Sequence, residues 1–335
     1  MKEASLYIQL DNLLVNCQLC AHSCKIQEGK FGFCGVRQNI QGVLYTHNYG
    51  KLVAVNVDPI EKKPLYHFFP GSASFSIASA GCNFRCGFCQ NWQISQLNFL
   101  KSNPPGEDFS PAKVVALAKQ HNCKSIAYTY TEPTVFLEFV LETAILAKQA
   151  GLANILVTNG YMTDGAISRF KPYVDAANVD LKFFKESSYQ KICSATLAPV
   201  LDSIRLLYDS GVWIEVTTLV IPGENDSPEE LSGIAKFIAG ISQDIPWHIS
   251  CFHADYKFSA YPGTPEQSLR LAYDLGKSSG LRYVYAGNFR GWGQDTYCRS
   301  CKKILIKREG FNIVESQLRG NKCVFCQAVL PGIFS

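Results

Sequence analysis

Between residues 75 and 287 the hydrophobic positions switch period repeatedly. Seven short runs are apolar on consecutive positions: FSIASA (75–80), SIAYTY (125–130), NILVTN (154–159), NVDLKFF (178–184), WIEVTTLVI (213–221), WHISCF (247–252) and RYVYAG (282–287). Rich in Val, Ile and aromatics, they have the pattern of strands buried on both faces. Between them lie PAKVVALAKQH (111–121), VFLEFVLETAILAKQA (135–150), PVLDSIRLLYDS (199–210) and PEELSGIAKFIAGI (228–241), whose spacing predicts helices. Ser110-Pro111, Ser227-Pro228 with Glu230 as a capping box, and Thr264-Pro265 with Gln267 mark helix starts. Gly151, Gly211 and Gly280 mark helix ends. Repeated strand–helix units imply a parallel sheet. Six units and a last strand are too few for a closed eight-fold barrel, so the expectation is an α/β fold: a partial (β/α)6 TIM-like barrel.

The residues best suited to chemistry fall where those strands end. Three cysteines, Cys82, Cys86 and Cys89, follow the first strand; TYTEP (129–133) closes the second and TNG (158–160) the third. Asp180 and Lys182 lie at the fourth, IPG (221–223) at the fifth and His253 at the sixth. Parallel α/β folds build their sites at the carboxyl ends of strands, so these groups are expected to share one mouth.

Composition adds one strong constraint. The 335 residues carry a formal charge of +4, with 47% hydrophobic and 18% charged residues, which gives no basis for expecting nucleic-acid or membrane binding. The opening MKEASLYIQLDNLLVNC resembles no signal peptide and no run is long enough to span a bilayer, so a cytoplasmic protein is expected. Yet there are fourteen cysteines, eleven of them in three groups. Cys17, Cys20, Cys24 and Cys34 form C-x2-C-x3-C-x9-C; the central three form C-x3-C-x2-C; Cys298, Cys301, Cys323 and Cys326 form two C-x2-C pairs with 21 residues between them. Such spacing in a reducing compartment points to metal or cluster ligation over a disulfide framework. Three domains are expected: a Cys-rich metal-binding segment (1–70), the partial barrel (71–290) and a C-terminal module (291–335).

Three thiolates suit a [4Fe–4S] cube with one iron left without a protein ligand, a position a substrate or cofactor can take. C-x3-C-x2-C with Phe88 before the last cysteine, placed after the first strand of a βα run, resembles the signature of the radical S-adenosylmethionine superfamily. The resemblance implies that the open iron binds S-adenosylmethionine. It further implies reductive cleavage to a 5′-deoxyadenosyl radical that abstracts hydrogen from a protein or a small molecule. It gives cofactor-contacting roles to Phe88, to Thr131 and Glu132 in YTYTEP, to Thr158 and Asn159, to Asp180 and Lys182 in DLK, and to His253 near the ribose. Val157 stands where related activases carry an acid. For Asp180 and Lys182 a simple ion pair is the competing reading.

The paired C-terminal knuckles resemble a zinc ribbon, with a rubredoxin-like iron site as the alternative. The N-terminal four suit zinc or a second iron–sulfur cluster. They offer four ligands, stand some forty residues before the first barrel strand, and are expected to be a separate site for docking a partner or substrate. His22 beside them reads as a solvent-facing loop histidine. Taken together, CQLCAHSC…FGFCGVRQN, CNFRCGFCQNWQIS and YCRSC…CVFC resemble the radical enzymes of the AmmeMemoRadiSam system, relatives of pyruvate formate-lyase activating enzymes. That implies Memo-like and AMMECR-like partners and an electron donor such as flavodoxin or ferredoxin. The competing functions are a metal-stabilised scaffold and a multi-cluster electron-transfer protein without cofactor cleavage.

Overall fold

All seven apolar runs are strands of one sheet in the computed structural model, which describes residues 1–96 and 105–334. The strands are β1 (Lys51–Pro59), β2 (Ala73–Ser79), β3 (Ser125–Tyr128), β4 (Ala153–Thr158), β5 (Ala176–Asp180), β6 (Trp213–Val220), β7 (Trp247–Cys251) and β8 (Val284–Gly287). From β2 to β8 they lie side by side in chain order and all parallel; β1 pairs antiparallel with β2, and Glu107–Asp108 edges β1. Among the described residues, six helices of seven or more residues lie in the connections: α1 (Pro111–Gln120), α2 (Leu137–Gln149), α3 (Asp164–Phe170), α4 (Ala198–Asp209), α5 (Pro228–Ile241) and α6 (Glu266–Ser278). Such an unclosed, sequentially wound sheet is a partial barrel. Among the described residues no helix is long and apolar enough to cross a membrane.

The local signals mostly hold, and the exceptions have one cause. Ser110 and Ser227 accept from the N–H groups of Lys113 and Glu230 at 3.1 and 3.3 Å, and Gly151, Gly211 and Gly280 leave their helices with positive φ. Glu230 does not complete a capping box; its buried carboxylate accepts from the N–H groups of Phe184 and Lys185 beyond β5. Thr264 caps nothing either, because its hydroxyl accepts from Phe252 N (2.7 Å) and donates to Val220 O (2.6 Å). In both places a strand end leaves backbone groups that would otherwise be buried without partners, and a helix terminus can leave its own to water. The short helix α3, capped by Thr163, had no periodic run to announce it. The fourth strand stops at Asp180, so Lys182 lies beyond the sheet.

One face of the sheet packs on the helices, and the other receives the segment after β1. There Ile60, Leu65 and Phe68 meet Ala127, Ile155 and Ala176. Deeper still is a polar knot. Glu215 on β6, fully buried, accepts from Tyr66 N (3.0 Å), His67 N (2.8 Å), Trp213 Nε1 (3.1 Å) and His248 Nε2 (2.6 Å). His67 donates from Nδ1 to Pro331 O (2.7 Å) and accepts at Nε2 from the Tyr285 hydroxyl (2.6 Å). Arg308 donates to Tyr66 O (2.9 Å) and Thr296 Oγ1 (2.8 Å). Ile333 exchanges backbone bonds with His67 and Phe69 (2.8 and 2.7 Å). The C-terminal strands Thr296–Tyr297, Ile304–Glu309 and Asn312–Ser316 are thus joined to the barrel by buried charge and backbone pairing.

Burial holds His67 in the neutral state its bonding requires, with its pKa pushed down to about 4 against the pull of Glu215. A histidine depressed in the folded state stabilises the fold above its unfolded pKa of about 6.5, and the contribution is lost as pH falls toward the folded value. Between pH 7 and 5, denaturant titrations should show wild type losing about 2 kcal/mol more than His67→Asn, which cannot titrate there. Equal losses in the two proteins would contradict this.

Candidate active site and cysteine centres

The three-cysteine loop leaves β2 through Gly81, whose φ of 102° and surroundings admit nothing larger. A Cβ there would stand 2.5 Å from Val36 Cγ1 and 3.2 Å from the carbonyl oxygen of Cys34. The loop is propped from below by a π-helical turn, with Arg85 N and Gly87 N donating to Cys193 O (2.8 Å) and Ile192 O (3.1 Å). From the side, Asn91 Nδ2 donates to Tyr130 O at 2.9 Å. Cys82 Sγ accepts from Phe84 N (3.3 Å) and faces Asn159 Nδ2 (3.8 Å); Cys89 Sγ lies 3.2 Å from Ser95 Oγ. Burial pushes the Cys82 and Cys89 thiols up, and the neighbouring Cys193 thiol, 3.5 Å from Cys86 Sγ, does so first for Cys86. Metal loading at this loop must therefore displace protons from all three.

Phe88 is buried against Phe183 and Phe258. Lys182 Nζ lies 5.8 Å from its ring centre and 2.7 Å from Asp180 Oδ2. Burial would lower the Lys182 pKa, but Asp180 and the thiols of Cys86 and Cys193 outweigh it and hold the ammonium above its ordinary range. Asp180 and Lys182 are thus an ion pair, and one that sits over the cysteine loop.

The other strand-end residues divide into braces and free groups. Thr131 Oγ1 donates to Ser79 O at 2.7 Å, tying β3 to the end of β2. The buried Glu132 carboxylate accepts from Thr134 N and Oγ1 (3.0 and 2.5 Å), Thr158 Oγ1 (2.8 Å) and Asn159 N (2.8 Å). Glu132 and Thr158 are therefore braces between β3 and β4, their polar atoms already engaged within the protein. Asn159 turns its amide toward the loop, donating to Asn83 Oδ1 (2.7 Å). At IPG, Asn225 accepts from Ile221 N (2.6 Å) and donates to Lys182 O (2.7 Å) and Leu219 O (2.8 Å). His253 stands exposed just past β7. Asn225 and Cys193 escaped the sequence reading, since neither belongs to a spaced group; Asn225 reaches Lys182 O, 43 residues away, and Cys193 faces Cys86, 107 residues away.

The three cysteine groups differ in how tightly their sulfurs gather. Among the described residues, only Cys298, Cys301, Cys323 and Cys326 bring all their ligand atoms within 4.8 Å of one another. Cys298 and Cys326 are 3.5 Å apart and Cys301 and Cys323 3.7 Å, close to the edge of about 3.8 Å that a tetrahedral ion with metal–sulfur bonds near 2.3 Å requires. Lys302 and Gln327, each just after the second cysteine of its knuckle, have φ near 60°, so the two knuckles turn alike. The mouth set and the N-terminal set do not close to that degree.

The N-terminal cysteines are not remote from the mouth. Cys20 bridges Met162, Thr163 N donates to Leu19 O (3.4 Å), and the carbonyl of Cys34 touches Gly81. Arg85 donates to Phe33 O and lies over the Phe33 ring at 4.5 Å. His22 is neither solvent-facing nor placed as a ligand. Half-buried, it donates from Nε2 to Asn83 O (2.7 Å) and packs between Phe33 and Tyr161, and burial lowers its pKa. The forty intervening residues form β1 and the interior segment, returning the chain to its own starting corner.

The profile of the Radical SAM superfamily matches residues 76–237, the span from β2 to α5. An uncharacterized protein of Methanocaldococcus jannaschii is 43% identical over 330 residues, covering 97% of this chain and 98% of the relative. The chain belongs to the radical SAM superfamily. A pyruvate formate-lyase-activating enzyme of Listeria monocytogenes is 23% identical over 170 residues, 49% of this chain and 68% of that enzyme. In fold, the radical SAM methyltransferase from Sphaerobacter thermophilus superposes with a TM-score of 0.51 over 67% of this chain and 68% of that one, at 16% identity. Membership in the radical SAM superfamily implies a [4Fe–4S] cluster and S-adenosylmethionine. The mouth fits both: three thiols on one loop, spaced wider than a single ion needs, with a polar rim around them.

Proposed function

We propose that this radical SAM protein holds its [4Fe–4S] cluster on Cys82, Cys86 and Cys89 and abstracts hydrogen from a protein substrate, as an activase does. The cluster with bound S-adenosylmethionine supplies a 5′-deoxyadenosyl radical. The observation that carries the reading is the convergence of the cysteine loop with the ends of β3, β4, β5 and β7 at one mouth. There the chain's own residues do three things. Phe88, Phe183 and Phe258 exclude water from one side of the loop. Lys182, fixed by Asp180, offers a cation to a carboxylate, and exposed His253 offers a ring to a ribose. Glu132, Thr131 and Asn225 keep adjacent strand ends in register, so the contacts need little rearrangement on binding.

We extend the proposal to the AmmeMemoRadiSam group, on the full-length pattern of its cysteine groups, with Memo-like and AMMECR-like partners and a flavodoxin or ferredoxin as donor. The C-terminal four-cysteine site is assigned as a zinc ribbon, because its sulfur spacing suits one tetrahedral ion and leaves no open position. Anaerobically reconstituted wild type should form 5′-deoxyadenosine from S-adenosylmethionine on reduction, and should retain about one zinc per chain. Colourless protein with zinc at every site and no cleavage would favour the scaffold reading instead.

A further inference from the structure

We propose that Cys17, Cys20, Cys24 and Cys34 hold a second iron–sulfur cluster, through which the reducing electron reaches the mouth. The proposal rests on the radical reading above and reverses the docking role the sequence suggested for this site.

Three observations carry it. The first is spacing. Backbone bonds draw the set together, with Cys17 N donating to Cys24 O (2.9 Å) and Phe33 N, next to Cys34, donating to Cys24 Sγ (3.5 Å). No three of them, however, come within 4.8 Å of one another, whereas the C-terminal sulfurs close to 3.5 and 3.7 Å. The mouth set, which the family assigns to a cube, shows the same wider spacing. A polynuclear cluster holds its thiolates farther apart than a single zinc ion does, and four thiolates complete the ligands of a cube.

The second is an unanswered donor. Arg37 is buried and grips Glu138 with two bonds of 2.7 Å, yet its Nε–H has no partner among the described residues. The other charged or ionisable groups that the guanidinium senses are the thiols of Cys17 and Cys34. A buried N–H is costly to leave unpaired, and thiolate or sulfide sulfur is the acceptor chemistry this corner provides.

The third is position. Cys34 O touches Gly81, which directly precedes Cys82; His22 bonds Asn83, which directly follows it; and Phe33 carries the Arg85 guanidinium. Electron tunnelling falls steeply with distance, and these contacts bring the two ligand sets together without an intervening element. Cys24, partly buried at the edge of this corner, gives an outside carrier its approach. The step balances as a single electron. A reduced flavin or iron–sulfur carrier protein loses it, the N-terminal cluster takes it and passes it on, and the mouth cluster ends one electron more reduced. No bond or proton changes hands.

The test separates the site from its role. The full chain carrying Cys82→Ala, Cys86→Ala and Cys89→Ala, reconstituted with iron and sulfide, should still bind about four irons and give a [4Fe–4S] EPR signal when reduced. Cys17→Ser with Cys20→Ser should lose that same share of iron from wild type. Its deoxyadenosine formation should be lost with reduced flavodoxin and only diminished with titanium(III) citrate. Cys24→Ser is the second variant should the pair not fold. Zinc without iron in the triple variant would overturn the site. Flavodoxin-driven cleavage that survives removal of the N-terminal iron would overturn the relay. If fully loaded wild type cleaves nothing with either reductant, the radical reading fails, and the iron content of the triple variant still decides the second cluster.

Discussion

Replacing Cys86 by Ala is expected to reduce deoxyadenosine formation to the level of a control without protein. Cys86 is the middle cysteine of the mouth loop and is buried, so water has no easy route to take its place. One hazard is visible in the geometry: Cys193 Sγ lies 3.5 Å from Cys86 Sγ and is a ready substitute ligand. The decisive protein is therefore Cys86→Ala with Cys193→Ala, beside Cys193→Ala alone as the control for packing. Each change removes one buried sulfur and should cost about 1 kcal/mol, small against the packing of a seven-strand parallel core. Circular dichroism should then be unchanged while cluster absorbance and cleavage vanish together. Wild-type cleavage by the double variant would show that the loop is not the radical centre.

The largest stability effect is expected at Glu215. Its carboxylate is the common acceptor for the N–H groups of Tyr66 and His67, the Trp213 indole and the His248 ring. Burial disfavours its charge, but His248 first and then His67 and the Tyr66 N–H outweigh that and hold its pKa below the ordinary value. Glu215→Ala strips the acceptor from all four donors at the barrel's interior, so a loss of about 3–5 kcal/mol is expected in denaturant titration. Glu215→Gln keeps one oxygen and the side-chain volume and should lose less. Because two of the donors, Tyr66 and His67, sit on the segment that holds Pro331 and Ile333, Glu215→Ala should also speed proteolytic cleavage around residue 290. A loss under about 1 kcal/mol would mean the knot is solvated or rearranges freely.

Much of this architecture is written in the chain itself. Consecutive apolar positions announce β2 to β8 because strands sandwiched between two layers have no polar face. Serine caps and left-handed glycines mark most helix ends because those effects act within one turn. The cysteine spacings mark three candidate sets for the same reason: ligands on one loop must sit within a few residues of each other. Strand order then brings Cys82, Asp180, Lys182 and His253 to one mouth, since parallel winding puts every carboxyl end on the same side.

What only the tertiary structure decided is which partner each polar group takes. The sequence shows Glu132 only as a strand-end acid; that Thr158 and Asn159, 26 and 27 residues on, supply its hydrogen bonds is set by the packing of the strands. Glu230 and Thr264 read as helix-cap residues and serve strand ends instead. Arg308 meets Tyr66 across 242 residues, and His22 meets Asn83 across 61. The N-terminal cysteines look isolated in the sequence and touch the radical loop in space. Periodicity records whether a side chain is buried, and spacing records what is local. A hydrogen-bond partner supplied by a distant strand leaves no trace in either, because burial fixes only that a partner must exist and the packing of the strands fixes which one it is.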